Sequence, residues 1–580
     1  MPAIVTRCFF ILLCTLAWSN VAHADSDKIR KPWIGFSSGL TVSGQYYRNW
    51  GGDPRQQPFM YSISGAPALD IKGMSMPFNV LYSNQVFTVQ QPFNQIGIAP
   101  RFKWGTVYLG SSSMKLSNYS LSGQRFTGIG ADLQLGWFRV GGMFGRLRRQ
   151  VRPVGLINDP NTFLNERETS AFERRGYALK IGFGKKDQFF DFIFFRANDL
   201  LPDDYVKDNW YVPGVGSDST KNYVLPQENA VFAINSSFKI AKKIQLRNDW
   251  AISALTRDLN ADTVFIADEK LRDWAERILL PRFSTNVRIA GESSIRYLHK
   301  YASPSFTYKR IEHEYTTLGS YFFQTDIEQY AAGLTLNLFK SRLSLSGNFG
   351  QQRDNLQGLR LRTSTRNISS LAGNFNPSPN WGASFNYSNY GLTQSPLPKT
   401  LTDSTRINQV NNAISIVPRY TAKGKKFSHN FNLVLGYNAM SNLGASLGAS
   451  ADITSYNTSL NYTLTHLKSN FSGAIVPTRI VSGTQAGDIQ SLGTSAQLSR
   501  SFAKGIIHAN YGYGYFSNTF NGVGNGSTQT HTLSFAAQPK KWPSVSLNLQ
   551  YIDNASLNNA AGTSFKELYV NLSISYTFSK

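Results

Sequence analysis

The side chains able to do chemistry are few and poorly grouped for catalysis. The chain has seven histidines. His23 falls in an N-terminal leader, and His299, His313, His429, His466, His508 and His531 are scattered without metal-ligand spacing. No Ser and His are set as a nucleophile and its base. Both cysteines, Cys8 and Cys14, lie in the leader, so the exported chain is expected to carry no thiol, disulfide or thiolate metal site. Asp203, Asp204 and Asp208 offer oxygen ligands of the calcium type, against the plainer reading of a solvated acidic loop. The expectation is a non-enzyme without metal or cofactor. What remains is fixed charge, concentrated in the first half: Arg101, Lys103, Asp132, Arg139, Arg247, Asp249, Glu292, Arg296, Lys300 and Lys309. Such a set can do one of two things. It can sort solutes electrostatically or seat a plug, or it can pair internally and pack a crowded interior.

Positioning these charges falls to strands. At the end of the chain Leu568, Val570, Leu572, Ile574, Tyr576 and Phe578 alternate with Tyr569, Asn571, Ser573, Ser575 and Thr577. Period two puts the two sets on opposite faces of a strand. The pattern recurs at Phe431–Tyr437, Tyr456–Leu464, Val545–Tyr551 and Trp381–Tyr387. Breaks alternate between short and long. Short turns are predicted at 72–73, 104–105, 136–137, 185–186, 242–243, 340–341, 377–380, 423–426, 467–468, 503–504 and 539–542. Longer polar breaks are predicted at 49–58, 86–94, 112–122, 149–171, 199–227, 257–289, 355–361, 392–406, 439–450, 518–526 and 555–563. Sorting connections onto two rims is a property of a transmembrane antiparallel up-and-down β-barrel, with short periplasmic turns and long extracellular loops, and not of a sandwich or propeller. The reading is all-β, with about 26 strands (range roughly 22–26), residues 314–327 being ambiguous. A two-residue turn at Gly136-Trp137 sets Gln134 opposite Arg139, which puts Asp132 diagonal to Arg139.

Arg7, the apolar run Cys8–Trp18 and Ala22-His23-Ala24 predict a signal peptide over 1–24, cleaved near Ala24. A short periplasmic segment, 25–35, and a barrel over 36–580 are expected to follow. Charged residues are only 16% and aromatics 13%, and no later stretch reaches the roughly 18 apolar residues of a spanning helix. The terminal strand, with Tyr576 and Phe578, resembles the C-terminal signal of bacterial outer-membrane barrels, although Ser579 and Lys580 follow the aromatic residue. That resemblance implies an integral outer-membrane location, surrounding lipid, and the barrel-assembly machinery as a partner. Gln91-Pro92-Phe93-Asn94-Gln95-Ile96-Gly97, followed by Arg101, Lys103 and Trp104, resembles large, poorly characterised barrels of Bacteroidota, which brings no established activity.

The net charge of +24 becomes 24 − 1 = +23 once Arg7 is removed. Its placement argues against nucleic acid, because Lys72, Lys185, Lys186, Lys242, Lys243, Lys340, Lys423, Lys425, Lys426, Lys468, Lys504, Lys540 and Lys541 all fall at predicted short turns. A lysine rim reaches anionic headgroups, or alternatively docks an acidic periplasmic partner. One stretch breaks the strand pattern. Leu271, Trp274, Ala275 and Ile278 fall at helical spacing between Asp268, a plausible N-cap, and Pro281, predicting a helix over about 268–280 in an external loop. It would pack as a lid at the mouth or bind a partner. With no plug domain expected before the first strand, a barrel this wide needs filling by its own loops or by a partner. Two functions follow: a channel for a solute or polymer, or a scaffold anchoring a surface-exposed or secreted protein.

Overall fold

The computed structural model describes residues 34–52, 54–71, 74–83, 95–151, 171–185, 187–203, 205, 210, 224–265, 268–321, 324–360, 362–396, 407–442, 452–484, 487–539, 542–556 and 564–579. The predicted leader, Lys72, Gln91–Asn94, Lys186, Asp204, Asp208, Lys540, Lys541 and Lys580 lie outside them, as do the side chains of Leu271, Trp274 and Phe578. The strands form a single sheet of 28 segments in which every neighbouring pair is antiparallel.

The first segments are β1 (Ile34–Trp50), β2 (Phe59–Gly65), β3 (Ala68–Ile71), β4 (Met74–Ser83), β5 (Gln95–Ile98), β6 (Arg101–Phe102), β7 (Gly105–Lys115), β8 (Ser122–Leu135) and β9 (Phe138–Arg148). The middle ones are β10 (Glu173–Lys185), β11 (Gln188–Leu200), β12 (Glu228–Ile240), β13 (Ile244–Thr256), β14 (Thr285–Tyr297), β15 (Ala302–Ile311), β16 (Ile327–Leu338), β17 (Leu343–Asp354) and β18 (Arg362–Phe375). The last are β19 (Trp381–Pro396), β20 (Ile407–Lys423), β21 (Phe427–Asn442), β22 (Ile453–His466), β23 (Phe471–Thr484), β24 (Gly487–Phe502), β25 (Ile507–Phe520), β26 (Val523–Ala537), β27 (Ser544–Ser556) and β28 (Phe565–Ser579).

Four of these segments are halves of two broken staves. β2 and β3 both pair with β1 and with β4, and β5 and β6 both pair with β4 and β7. Each break falls at an Ala-Pro step, Ala66-Pro67 or Ala99-Pro100, where proline has no N–H to give the ladder. The wall therefore has 28 − 2 = 26 staves. β28 closes on β1 from Ser37↔Ser579 to Trp50↔Lys566, which leaves no edge strand and puts the two chain ends of the barrel at one rim.

That rim carries the short turns. Its aromatic residues Trp104, Trp137, Phe339, Trp381 and Trp542 are exposed. Lys185, Lys242, Lys243, Lys340, Lys423, Lys425, Lys426, Lys468 and Lys504 stand among them. Lys185 Nζ lies 5.6 Å from the Trp137 ring centroid. Outward faces above this rim are apolar at alternate positions, as in Phe183, Ile181, Leu179 and Tyr177 of β10 and Phe192 of β11, all exposed. An apolar outer band above an aromatic girdle is how a barrel meets hydrocarbon and its interface.

Both rims correct the sequence reading in places. On the short-turn rim β14 and β15 are joined by a turn over 298–301 that was not predicted, while on the opposite rim the ambiguous stretch lies in the long connection between Ile311, the end of β15, and Ile327, the start of β16. β23 ends at Thr484 and β24 begins at Gly487, with these two residues paired, a close reversal that was also not predicted. The predicted break at 518–526 is instead a two-residue hairpin turn, Asn521-Gly522, with φ of 50° and 78°. Asn-Gly suits a turn that needs positive φ at both central residues, and the strands run straight into it.

Candidate functional site

With strands about 4.8 Å apart and tilted by roughly 40°, 26 staves close at a backbone diameter of about 50 Å. Side chains on the wall cannot fill that width. Two connections from the long-loop rim fold inwards instead. In the first, between β7 and β8, Leu116, Ser117, Tyr119, Ser120 and Leu121 are all buried. In the second, between β15 and β16, Tyr315, Thr317 and Leu318 are buried. The Tyr315 hydroxyl donates to the Tyr119 carbonyl. Thr317 Oγ1 donates to the Ser120 carbonyl at 2.9 Å, and the Ser122 N–H donates to the Gly319 carbonyl at 2.9 Å. The two loops thus form one plug.

The plug seats on the lumen face of β8–β14. Alternate residues of these strands point inwards and are buried: Phe126, Met143, Ala178, Ile193, Phe195, Val231, Ala251 and Ala290 join Met114, Leu116, Tyr119, Leu121, Tyr315 and Leu318 in one apolar cluster. Burying a large apolar side chain contributes about 1.5–3 kcal/mol, so the core of this protein lies inside the barrel. Polar contacts fix the register. Ser117 Oγ donates to Asp249 Oδ1 at 2.5 Å and the Asn118 N–H to Asp249 Oδ2 at 2.9 Å. Asn118 Nδ2 and the Tyr119 hydroxyl donate to Glu292 at 3.3 and 3.2 Å. Asp249 and Glu292 are direct cross-strand partners, so two facing carboxylates on β13 and β14 become the socket for one loop. The second loop is held by Ser253 Oγ donating to the Thr316 carbonyl at 2.6 Å and by the Leu318 N–H donating to Asn229 Oδ1 at 3.0 Å. Burial first, and then the adjacent Glu292 carboxylate, push the Tyr119 phenol above its ordinary value. Burial does the same to Tyr315.

The charges singled out from sequence separate into three groups. Asp249 and Glu292 hold the plug. Asp132 and Arg139 face the lumen, and Gln134 stands opposite Arg139. Their ion pairs run to other strands, however, which corrects the expected diagonal contact. Arg139 makes a two-pronged pair with Asp191 at 2.7 and 2.9 Å, while Asp132 accepts from Lys180 Nζ at 2.5 Å. Arg101, Arg247 and Arg296 are exposed, and Lys103 and Lys300 lie in short turns at the rim. Lys309 stands opposite Glu292.

Sequence reasoning missed Ser117, Asn118, Tyr119 and Tyr315, and the buried acids Asp191 and Asp199. The Asp199 carboxylate takes Arg174 at 2.7 Å and Arg148 at 3.1 Å. A signal was present in β11. Phe190, Phe192 and Phe194 face out while Ile193 and Phe195 face in, and a strand apolar on both faces must be covered on both.

The external helix is real but shorter than predicted: α1 spans Glu269–Ile278. Its last turn is tied to the outer side of the wall, because Arg196, an outward-facing residue of β11, donates through Nη1 to the Arg277 carbonyl at 2.9 Å. That contact gives no support to a lid over the mouth. Among the described residues no group of three or more His, Cys, Asp or Glu is arranged to hold a metal ion.

No protein-family model matches the chain, and no curated protein matches it. Solved structures similar to it include a BenF-like porin from Pseudomonas fluorescens Pf-5, at 12% identity over 67% of this chain and 97% of that one, with a TM-score of 0.31. Acinetobacter baumannii OccAB2 matches at 11% identity over 61% and 92%, with a TM-score of 0.30. Pseudomonas aeruginosa OpdL matches at 12% over 70% and 99%, with a TM-score of 0.30. Similarity this low says nothing of a substrate, and the assignment as a closed barrel rests on the strand register.

Proposed function

We propose that this chain is an integral outer-membrane barrel acting as a channel, in which the plug closes one side of the lumen and a polar path runs along the other. The observation that carries this is an asymmetry of burial. Apolar side chains are fully buried along the plugged wall, but among the described residues from 332 to 579 none is. There most inward positions are uncharged and hydrogen-bonding, as in Ser455, Asn457, Ser459, Asn461, Thr463 and Thr465 of β22, with Arg366, Arg419 and Glu567 among the exceptions. A wall of hydroxyls and amides beside open space favours hydrated polar solutes and sorts ions weakly. The apolar outer band, the aromatic girdle and the lysine rim support placement in the outer membrane with the short turns facing the periplasm.

Planar-bilayer recording on refolded protein tests the reading. The expected result is a steady conductance with a reversal potential near zero in a salt gradient. A folded barrel that passes no current, yet retains a surface or secreted protein in pull-downs from outer membranes, would overturn it in favour of an anchor.

A further inference from the structure

Several outward-facing charges just beyond the apolar band are balanced. Arg196 Nη2 pairs with Glu228 at 2.6 Å, and Glu328 sits between Arg353 at 2.5 Å and Arg310 at 3.5 Å. One place differs. On three adjacent strands the outward series runs from apolar positions into arginine: Ile129 to Arg125 on β8, Phe144 to Arg146 on β9, and Tyr177 to Arg175 on β10. All three arginines are exposed. Arg146 and Arg175 are direct cross-strand partners, a like-charge juxtaposition that is unfavourable when nothing sits between them. Among the described residues the only carboxylate paired to any of the three is Glu173, 2.8 Å from Arg175. The patch therefore carries 3 − 1 = +2. It lies on the long-loop side of the lipid band, where the headgroups of the outer leaflet begin.

We infer that Arg125, Arg146 and Arg175 form a docking surface for the phosphate groups of outer-leaflet lipid of the lipid A type. Planar guanidiniums on neighbouring strands can grip phosphate oxygens in a two-pronged way, and an anion between Arg146 and Arg175 turns their repulsion into a bridge. The apolar positions immediately below accept the acyl chains of the same lipid. This goes beyond the channel reading but rests on its outer-membrane placement.

The test uses the full barrel in nanodiscs of phosphatidylcholine with added lipid A or its dephosphorylated form. Arg125→Gln/Arg146→Gln/Arg175→Gln is compared with Lys423→Gln/Lys425→Gln/Lys426→Gln, which removes the same charge from the opposite rim. Native mass spectrometry should show lipid A retained by the wild type and the lysine variant. Retention should be weaker by on the order of a hundredfold in the arginine variant, given the weight of each basic side chain beside an anionic lipid. Dephosphorylated lipid should bind all three equally weakly, and inorganic phosphate should not displace lipid A. Equal retention by the arginine variant and the wild type, both heat-modifiable on gels, would overturn the proposal. So would displacement by inorganic phosphate, which would make the patch a general anion site. A barrel that fails to enter bilayers in every form would instead refute the membrane placement.

Discussion

The contact that most directly ties the plug to the wall is the Asp249 carboxylate, and Asp249→Ala is the perturbation that isolates it. The substitution removes the acceptor for Ser117 Oγ and for the Asn118 N–H. Hydrogen bonds to a charged group contribute about 1.5–3 kcal/mol each, so losing both costs the seated plug at least about 3 kcal/mol. That raises the ratio of unseated to seated loop by about a hundredfold. Against it stand Met114, Leu116, Tyr119 and Leu121, all buried, whose combined burial contributes about 6–12 kcal/mol. The apolar contribution is larger. Asp249→Ala should therefore keep a mostly seated plug and show brief, frequent excursions to higher current in single-channel records. Deleting 116–121 removes both contributions and should give a steady rise in conductance. Heat modifiability on gels checks that each barrel is still folded. If the deletion variant is folded and conducts as the wild type does, the plug does not limit the current and the reasoning fails.

Two further outcomes follow from the same geometry. Arg139→Gln leaves Asp191, almost fully buried, without its partner, which costs about 3–5 kcal/mol, so the unfolding temperature should fall while reversal potential stays unchanged; Arg101→Gln with Lys103→Gln, at exposed sites, should do the opposite and shift selectivity towards cations. Because burial raises the Tyr315 phenol, its contribution to stability is fully present below the ordinary value of about 10 and is lost as pH climbs beyond it. Thermal melts of Tyr315→Phe should accordingly lose less stability above that pH than wild-type melts, and parallel curves would reject the assignment.

How much of this was legible in the chain depended on which partner each residue answers to. Strands that face lipid on one side and water on the other, such as β22 and β28, reveal themselves by alternation alone, since each face is dictated by solvent. Their extended character and the facing of their side chains could be read without knowing anything distant. The hairpin at Asn521-Gly522 was misread because a polar, glycine-rich run looks the same in a tight turn as in a loop, and only strand pairing distinguishes them. The plug is a harder case. Ser117, Asn118 and Tyr119 meet Asp249 and Glu292 across more than a hundred residues, and nothing local in a run of serines says that it turns inwards. The charged wall was visible, but its pairing was not, because Lys180 and Asp191 compete for the same acids and bases from neighbouring strands. The apolar inward face of β11 was the available clue. Water on that face would have selected Ser, Asn or Thr, as it did in β22, so Ile193 and Phe195 required an apolar neighbour inside the barrel. The same comparison, strand by strand, separates the packed wall from the polar one, and it is on this division within a single lumen that the proposed open path beside the plug rests.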